Sequence, residues 1–481
     1  MKRTNFYLIL ILIFTILSMS IISYLSVHTT LVSIDHHVEF GKILLGVFFL
    51  SNLLLFVNEL VIPNFNSFKH FPTGLLITSL ASILILSIFH KQVGIAATGL
   101  FVVCALIYCI AHGRFYLPNK VYVFVLIYAL LQLIGTIGTT KGFHFPEMSY
   151  SFYLIPLSFY CFRIEKPILL QLMKFFFRAI LVYMAFILIF WHFNMQHMNI
   201  PLVDWMTRKL NYNDLEAYYW VNSWTHYMHP SYISLVLFPA LISGLYLEYK
   251  KDDSSRISKF ELLVFVIFSL ATQVAMQSRI GTVCVLFILL LSFFYYLKLK
   301  TKIFKWSLVA TMVLAGIVLV ISYSHIDGFV TDPARKMYST LAFNYIKSHP
   351  CKGVGYHQQA MALTEQQEIM KNDTPLVSDV KTYTHNQFLG DTLQFGVIGL
   401  IVLINLLLGL VRYSIRSRSF LLQQLLSVYF IFMLIEEPLY VQEGITRFMI
   451  FLAFFIHLSE SETPIKSFVL WNWFPKRKQS Q

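Results

Sequence analysis

The feature that most constrains this chain is the recurrence of apolar runs of roughly 18 to 25 residues, each long enough to cross a hydrocarbon core of about 30 Å as a helix. They fall near residues 6–26, 41–62, 73–90, 93–112, 121–140, 150–163, 176–193, 229–248, 260–278, 280–297, 306–323, 387–411, 419–437 and 440–458. In lipid every backbone N–H and C=O must be paired within the protein, so runs of this kind read as helices. The expected fold is all-α: a polytopic integral membrane protein with about 12 to 14 transmembrane helices, forming a single integral membrane domain over residues 1–481. Composition agrees, because 57% hydrophobic residues against 13% charged exceed what a water-soluble domain could bury. The basic, apolar start MKRTNFYLILILIFTILSMS reads as a first span, since its apolar run is long and no small-residue cleavage site closes it. The five Cys, at 104, 109, 161, 284 and 351, have neither disulfide nor metal spacing.

A net charge of +13 would suit nucleic acid, but the charges lie in the wrong pattern for it. Well over half of the 37 Lys and Arg fall in alternate loops, among them YKKDDSSRISK, KLKTKIFK and RYSIRSR. By the positive-inside rule those loops and both termini are cytoplasmic, and no nucleic-acid partner is expected beside the lipid bilayer. Two long segments then lie outside, residues 194–228 and residues 324–386. The second is the largest polar stretch of the chain, and a loop of about 60 residues between helices is usually functional or carries helices of its own. Within it DPARKMYSTLAFNYIKSHP has helical spacing, with Met337, Leu341 and Tyr345 on one face.

Four outer features could do chemistry. In THNQFLGDTLQFGVIG, Thr384 and Gln387 have the form of a capping box, which predicts a helix from His385. A helix N-terminus disfavours protonation of an adjacent imidazole, so a neutral His385 could accept a proton from a hydroxyl. Gly396 and Gly399 follow on nearly the same face of a continuous helix and would admit a close neighbour, although an interfacial His with ordinary membrane glycines explains the same spacing. In QSRIG, Arg279 sits at a tight helical hairpin, where it could snorkel to headgroups or bind pyrophosphate. Arg335 and Lys336 precede HPCKGVGYH, whose glycines could approach a phosphate or make a plain loop turn. In WTHYMHPSYIS, Pro230 fits a first helical turn, while His226, Tyr227, His229 and Tyr232 would form an aromatic rim suited to the interface or to sugar stacking.

For a metal the nearest clusters are SIDHHVEF, with Asp35, His36, His37 and Glu39, and the pair Glu436 and Glu437. Adjacent residues on a short helix point apart, so a solvated loop is the simpler reading and no metal site is expected.

The series His385, Asn386, Gly396, Gly399 resembles the signature of the O-antigen ligase and O-antigen polymerase superfamily. HPSYIS at a span start, SRIG between the next two spans, and an Arg-bearing amphipathic stretch leading to HPCKGVGYH follow in the family's order. The resemblance covers about residues 220–411, with the large periplasmic loop at 324–386 inside it. Tyr338 stands where the family often has Trp, and Glu436 to Arg447 aligns with no motif. The resemblance implies a bacterial inner-membrane glycosyltransferase that needs no metal or other cofactor. Its donor would be a glycan on undecaprenyl pyrophosphate and its acceptor a hydroxyl of the lipid A core or of another glycan. His385 would be the catalytic base and Arg279 and Arg335 the pyrophosphate contacts, with Asn386, His229, Tyr232 and Lys336 expected on substrate. Ligase, repeat-unit polymerase and protein oligosaccharyltransferase share this chemistry, and one His-Asn motif with one late, large loop fits the ligase better. A lipid-glycan flippase would instead be expected to show paired repeats and charged residues within its spans, of which Asp391 is the clearest case.

Overall fold

The computed structural model describes residues 46–86, 91–116, 119–137, 139, 149–197, 230–250, 255–276, 278–296, 333–369, 383–461 and 467–469. The expected spans 6–26 and 306–323, the SIDHHVEF cluster, Gln277 and the rim residues His226, Tyr227 and His229 lie outside them.

The helices are, in chain order, α1 Gly46–Val61, α2 Phe65–Lys69, α3 Phe71–Leu86, α4 Lys91–His112, α5 Tyr122–Gly135, α6 Ser151–Phe159, α7 Lys166–His197, α8 Pro230–Lys250 and α9 Lys259–Ala275. They continue with α10 Arg279–Tyr296, α11 Pro333–Ser348, α12 Gln359–Ile369, α13 Gln387–Phe395, α14 Val397–Arg416, α15 Phe420–Met433 and α16 Gln442–Glu460. The chain is thus an all-α, polytopic membrane protein. Among the described residues four segments are long and apolar enough to cross a membrane by length and composition: Val93–His112, Lys166–Phe193, Ser231–Lys250 and Val397–Arg416. Other apolar helices are shorter, and the expected span 150–163 is only the nine-residue α6. Among the described residues the one element outside this pattern is a small antiparallel pair, β1 Arg114–Tyr116 with β2 Ser467–Val469, in register Phe115↔Phe468.

Two compact units emerge: Met1–His112 with Arg163–Leu286, and Gly113–Phe162 with Phe287–Gln481. Unit 1 is built on α7, which is apolar nearly all round and buried along most of its length, as a core helix must be. Its charged residues are matched: Arg178 Nε donates to Glu261 Oε1 at 2.6 Å, Arg178 also pairs with Glu59, and Lys174 Nζ lies 3.2 Å from Glu59 Oε2. Glu261 is also the third helical residue of α9, closing a capping box with Ser258.

Pro230 opens α8, as expected from its fixed φ. Only three residues separate α9 from α10, at SRIG. The HPSYIS helix is bonded to that junction: Ser234 Oγ donates to Gln273 Oε1 at 2.8 Å and lies 3.3 Å from Ser278 Oγ. A Cβ on Gly281 would run into Gln273 and Ser234, so the glycine of SRIG serves this close approach.

In unit 2, α14 packs on α5 and α15, and α6 on α16. The expected amphipathic helix is α11. Leu341 and Tyr345 are buried and Met337 packs beside them, in a cluster with Val354, Ala362, Leu363 and Leu393. Phe343 and Lys347 lie on the exposed face.

Candidate functional site

Helix α13 begins two residues later than the capping-box reading placed it. Asn386 is its N-cap, accepting from the Leu389 N–H at 3.0 Å through Oδ1 and donating to Leu434 O at 3.0 Å through Nδ2. Thr384 takes a different role, because its hydroxyl is drawn to a buried carboxylate: Oγ1 donates to Glu437 Oε1 at 2.5 Å. Gln387, expected to return to the cap, instead accepts from the Leu439 N–H at 2.8 Å and donates to Asp391 at 2.9 Å. His385 therefore precedes the helix, in the left-handed region at φ 54°, a conformation uncommon outside glycine.

The partner of His385 is a carboxylate. Its Nδ1 lies 3.4 Å from Glu436 Oε2, while Glu436 Oε1 accepts from Arg335 at 2.8 Å. Arg335 also donates to Ile435 O at 3.2 Å. One buried carboxylate thus bridges an imidazole and a guanidinium, each partly exposed on its other side. Next to it Glu437 is buried and accepts from Gln359 Nε2 at 2.7 Å as well as from Thr384. Burial pushes the Glu437 carboxyl above its ordinary value of 4.5, and the hydrogen bonds from Thr384 and Gln359 pull it back part of the way.

The glycines after His385 act differently from the expectation of one continuous helix. Gly396, at φ 68° and ψ −165°, ends α13 and starts α14, in a region open essentially to glycine alone. The neighbour that approaches Gly396 is a loop, while Gly399 lets α14 lie close against Asp391 and Phe395 of α13. The Val397 N–H donates to Pro350 O, Val354 N–H to Leu393 O and Gly355 N–H to Gln394 O, strapping residues 350–356 over the break. The GVG turn is thereby committed to backbone contacts with α13, and a Cβ on Gly353 would strike the Gln394 carbonyl.

Aromatic rings surround the cluster. The His385 ring centroid lies 4.3 Å from Tyr383 and 6.3 Å from Tyr338, and Tyr440 lies 6.0 Å from Tyr383 and 4.1 Å from His357. Below them, Tyr128 donates to the buried Asp391 at 2.8 Å.

Of the residues singled out by sequence, His385, Asn386 and Arg335 come together in unit 2, and Lys336 is exposed on the next position of α11. Arg279 opens α10 and Tyr232 is buried within α8, both in unit 1, so Tyr232 is no part of an exposed rim. Sequence reasoning passed over Glu436 and Glu437 except as an acidic pair. Their signal was two adjacent carboxylates in the apolar setting LIEEPLY, where an unpaired charge is too costly to keep.

These features define a polytopic membrane protein whose helix ends gather an imidazole, two buried carboxylates and a guanidinium under an aromatic rim. A model of the O-antigen ligase family matches residues 264–404, a stretch that includes Arg279, Arg335, His385, Gly396 and Gly399. The match covers under a third of the chain, and it supports the O-antigen ligase superfamily and, in general terms, a function of the O-antigen ligase and polymerase type. No curated protein matches the chain.

Proposed function

We propose that the protein transfers a glycan from undecaprenyl pyrophosphate to an acceptor hydroxyl, most simply on the lipid A core, at the periplasmic face of the bacterial inner membrane, with its termini cytoplasmic. His385 is the general base. With Nδ1 held by Glu436, Nε2 is the nitrogen left to take the hydroxyl proton, and the carboxylate stabilises the imidazolium that forms. The deprotonated oxygen attacks the anomeric carbon from the face opposite the leaving group, inverting the centre, and undecaprenyl pyrophosphate departs. A pyrophosphate needs charge compensation more than a proton. Arg335, beside the base and oriented by the same carboxylate, supplies it without a metal. Asn386 positions the site, since its amide caps α13 and clips the loop that carries Glu436.

The observation that carries this reading is the sharing of Glu436 by His385 and Arg335. The test compares glycolipids of cells lacking the protein, complemented with wild type or with His385→Ala. Bare lipid A core with long chains accumulating on the carrier, unrescued by His385→Ala, is the expected result. Core lipid bearing single repeat units would mean polymerisation instead, and full rescue by His385→Ala would remove the base assignment.

A further inference from the structure

The rings around His385 form a connected series drawn from four parts of unit 2. Tyr338 comes from α11, Tyr383 and His385 from the approach to α13, Tyr440 from the α15–α16 turn, and His357 from the approach to α12. Along the series the centroid spacings are 6.3 Å from Tyr338 to His385, 4.3 Å to Tyr383, 6.0 Å to Tyr440 and 4.1 Å to His357. All five side chains are half-buried, so each is fixed by packing while keeping part of its surface outward. Beyond His357, Tyr356 stacks edge-on at 4.3 Å, with its hydroxyl 3.1 Å from Ser149 Oγ, so that end of the series is anchored.

The backbone is bent to place the two histidines. His357 and His385 hold φ of 58° and 54°, and the His357 N–H is fastened to Gln394 Oε1 at 2.9 Å. Left-handed conformations at residues other than glycine are costly and persist where the surroundings enforce them, characteristically at functional sites.

A series of partly exposed rings, most of them tyrosines with a polar tip, matches one kind of ligand. A pyranose has an apolar C–H face and a hydroxyl edge, and tyrosine offers the complementary pair of an apolar ring and a polar tip. A single sugar would need one such ring, whereas a chain of sugars needs several in sequence.

We propose that Tyr338, Tyr383, Tyr440 and His357 form a glycan-binding track passing the base, with Tyr383 and Tyr440 stacking successive pyranose rings next to the reacting sugar. The track rests on the reading that this site transfers a glycan, and its test is made independent of catalysis. The protein is purified in detergent as His385→Ala, which cannot turn over, and titrated with two probes. One is the glycan chain released by mild acid from the lipid-linked material of deletion cells, and the other is delipidated core oligosaccharide from the same cells.

Adding Tyr440→Ala or Tyr383→Ala weakens binding of one probe roughly fivefold to tenfold, the size of one aromatic contact. Tyr440→Phe, which restores the ring, recovers most of the loss. Weakening of the released chain assigns the track to the donor, and weakening of the core assigns it to the acceptor. Unchanged binding of both probes in both alanine variants, with thermal melting showing them folded, overturns the track and leaves the base assignment intact. Turnover by His385→Ala would overturn the base assignment while the ring dependence of binding still stands or falls on its own.

Discussion

Glu436 has two neighbours that need it for different reasons. His385 needs a carboxylate at Nδ1 to fix the tautomer, and Arg335 needs it to hold the guanidinium beside the base. Glu436→Gln keeps the shape and removes the charge, so kcat falls by roughly a hundredfold or more while donor KM moves far less. Steady-state rates with extracted lipid-linked glycan check this, and a change confined to KM would refute it. Glu437 carries a different expectation. Its folded value is raised by burial, so its contribution to stability is full below its ordinary 4.5 and is lost as pH rises from there through the folded value. Melting temperature against pH therefore declines less steeply above 4.5 in Glu437→Gln than in wild type, and parallel profiles would sink the assignment. Of these residues the sequence displayed His385, Arg335 and the acidic pair separately. It could not display their meeting, because Glu436 lies 51 positions beyond His385 and a helical pattern carries no information at that range.

At the scale of elements, the break between α13 and α14 depends on one residue. Gly396→Ala places a Cβ 2.6 Å from the Cys351 carbonyl at a backbone angle closed to alanine, and costs about 1 to 3 kcal/mol from the angle alone. A lowered melting temperature and loss of activity are expected together, because the strap of residues 350–356 and the junction of α13 with α14 rest on that break. Wild-type stability in Gly396→Ala would show that the break relaxes freely. The helix α11 was legible in advance because its apolar spacing is regular and its core face is built from Met337, Leu341 and Tyr345. The start of α13 was misread because Thr384 and Asn386 are both good caps, and the choice was made by Glu437, which takes the threonine hydroxyl.

Across the molecule, unit 1 keeps four charged side chains, Glu59, Lys174, Arg178 and Glu261, paired within it. Removing one member leaves an uncompensated buried charge, so Glu261→Ala destabilises the protein by about 3 kcal/mol or more. The expected signature is earlier thermal unfolding of the detergent-solubilised protein, with the α9 region the first to be cleaved by protease. An unshifted melting curve would mean that solvent reaches the cluster.

What the sequence determined by itself was the class: its apolar runs require paired backbones in lipid and therefore helices, and its His-Asn-Gly series carried the resemblance that the family match supports. It also set helix starts where a single residue decides them, as at Pro230. Tertiary structure alone decided which carboxylate orients His385, that Gly396 serves a loop while Gly399 serves the close approach of α13, and that rings from four segments come together beside the base. The reason is physical. Hydrophobic periodicity fixes which face of an element is buried, but a polar partner is selected by whatever charge or hydroxyl the fold brings within about 3 Å, and that is a property of packing between distant segments.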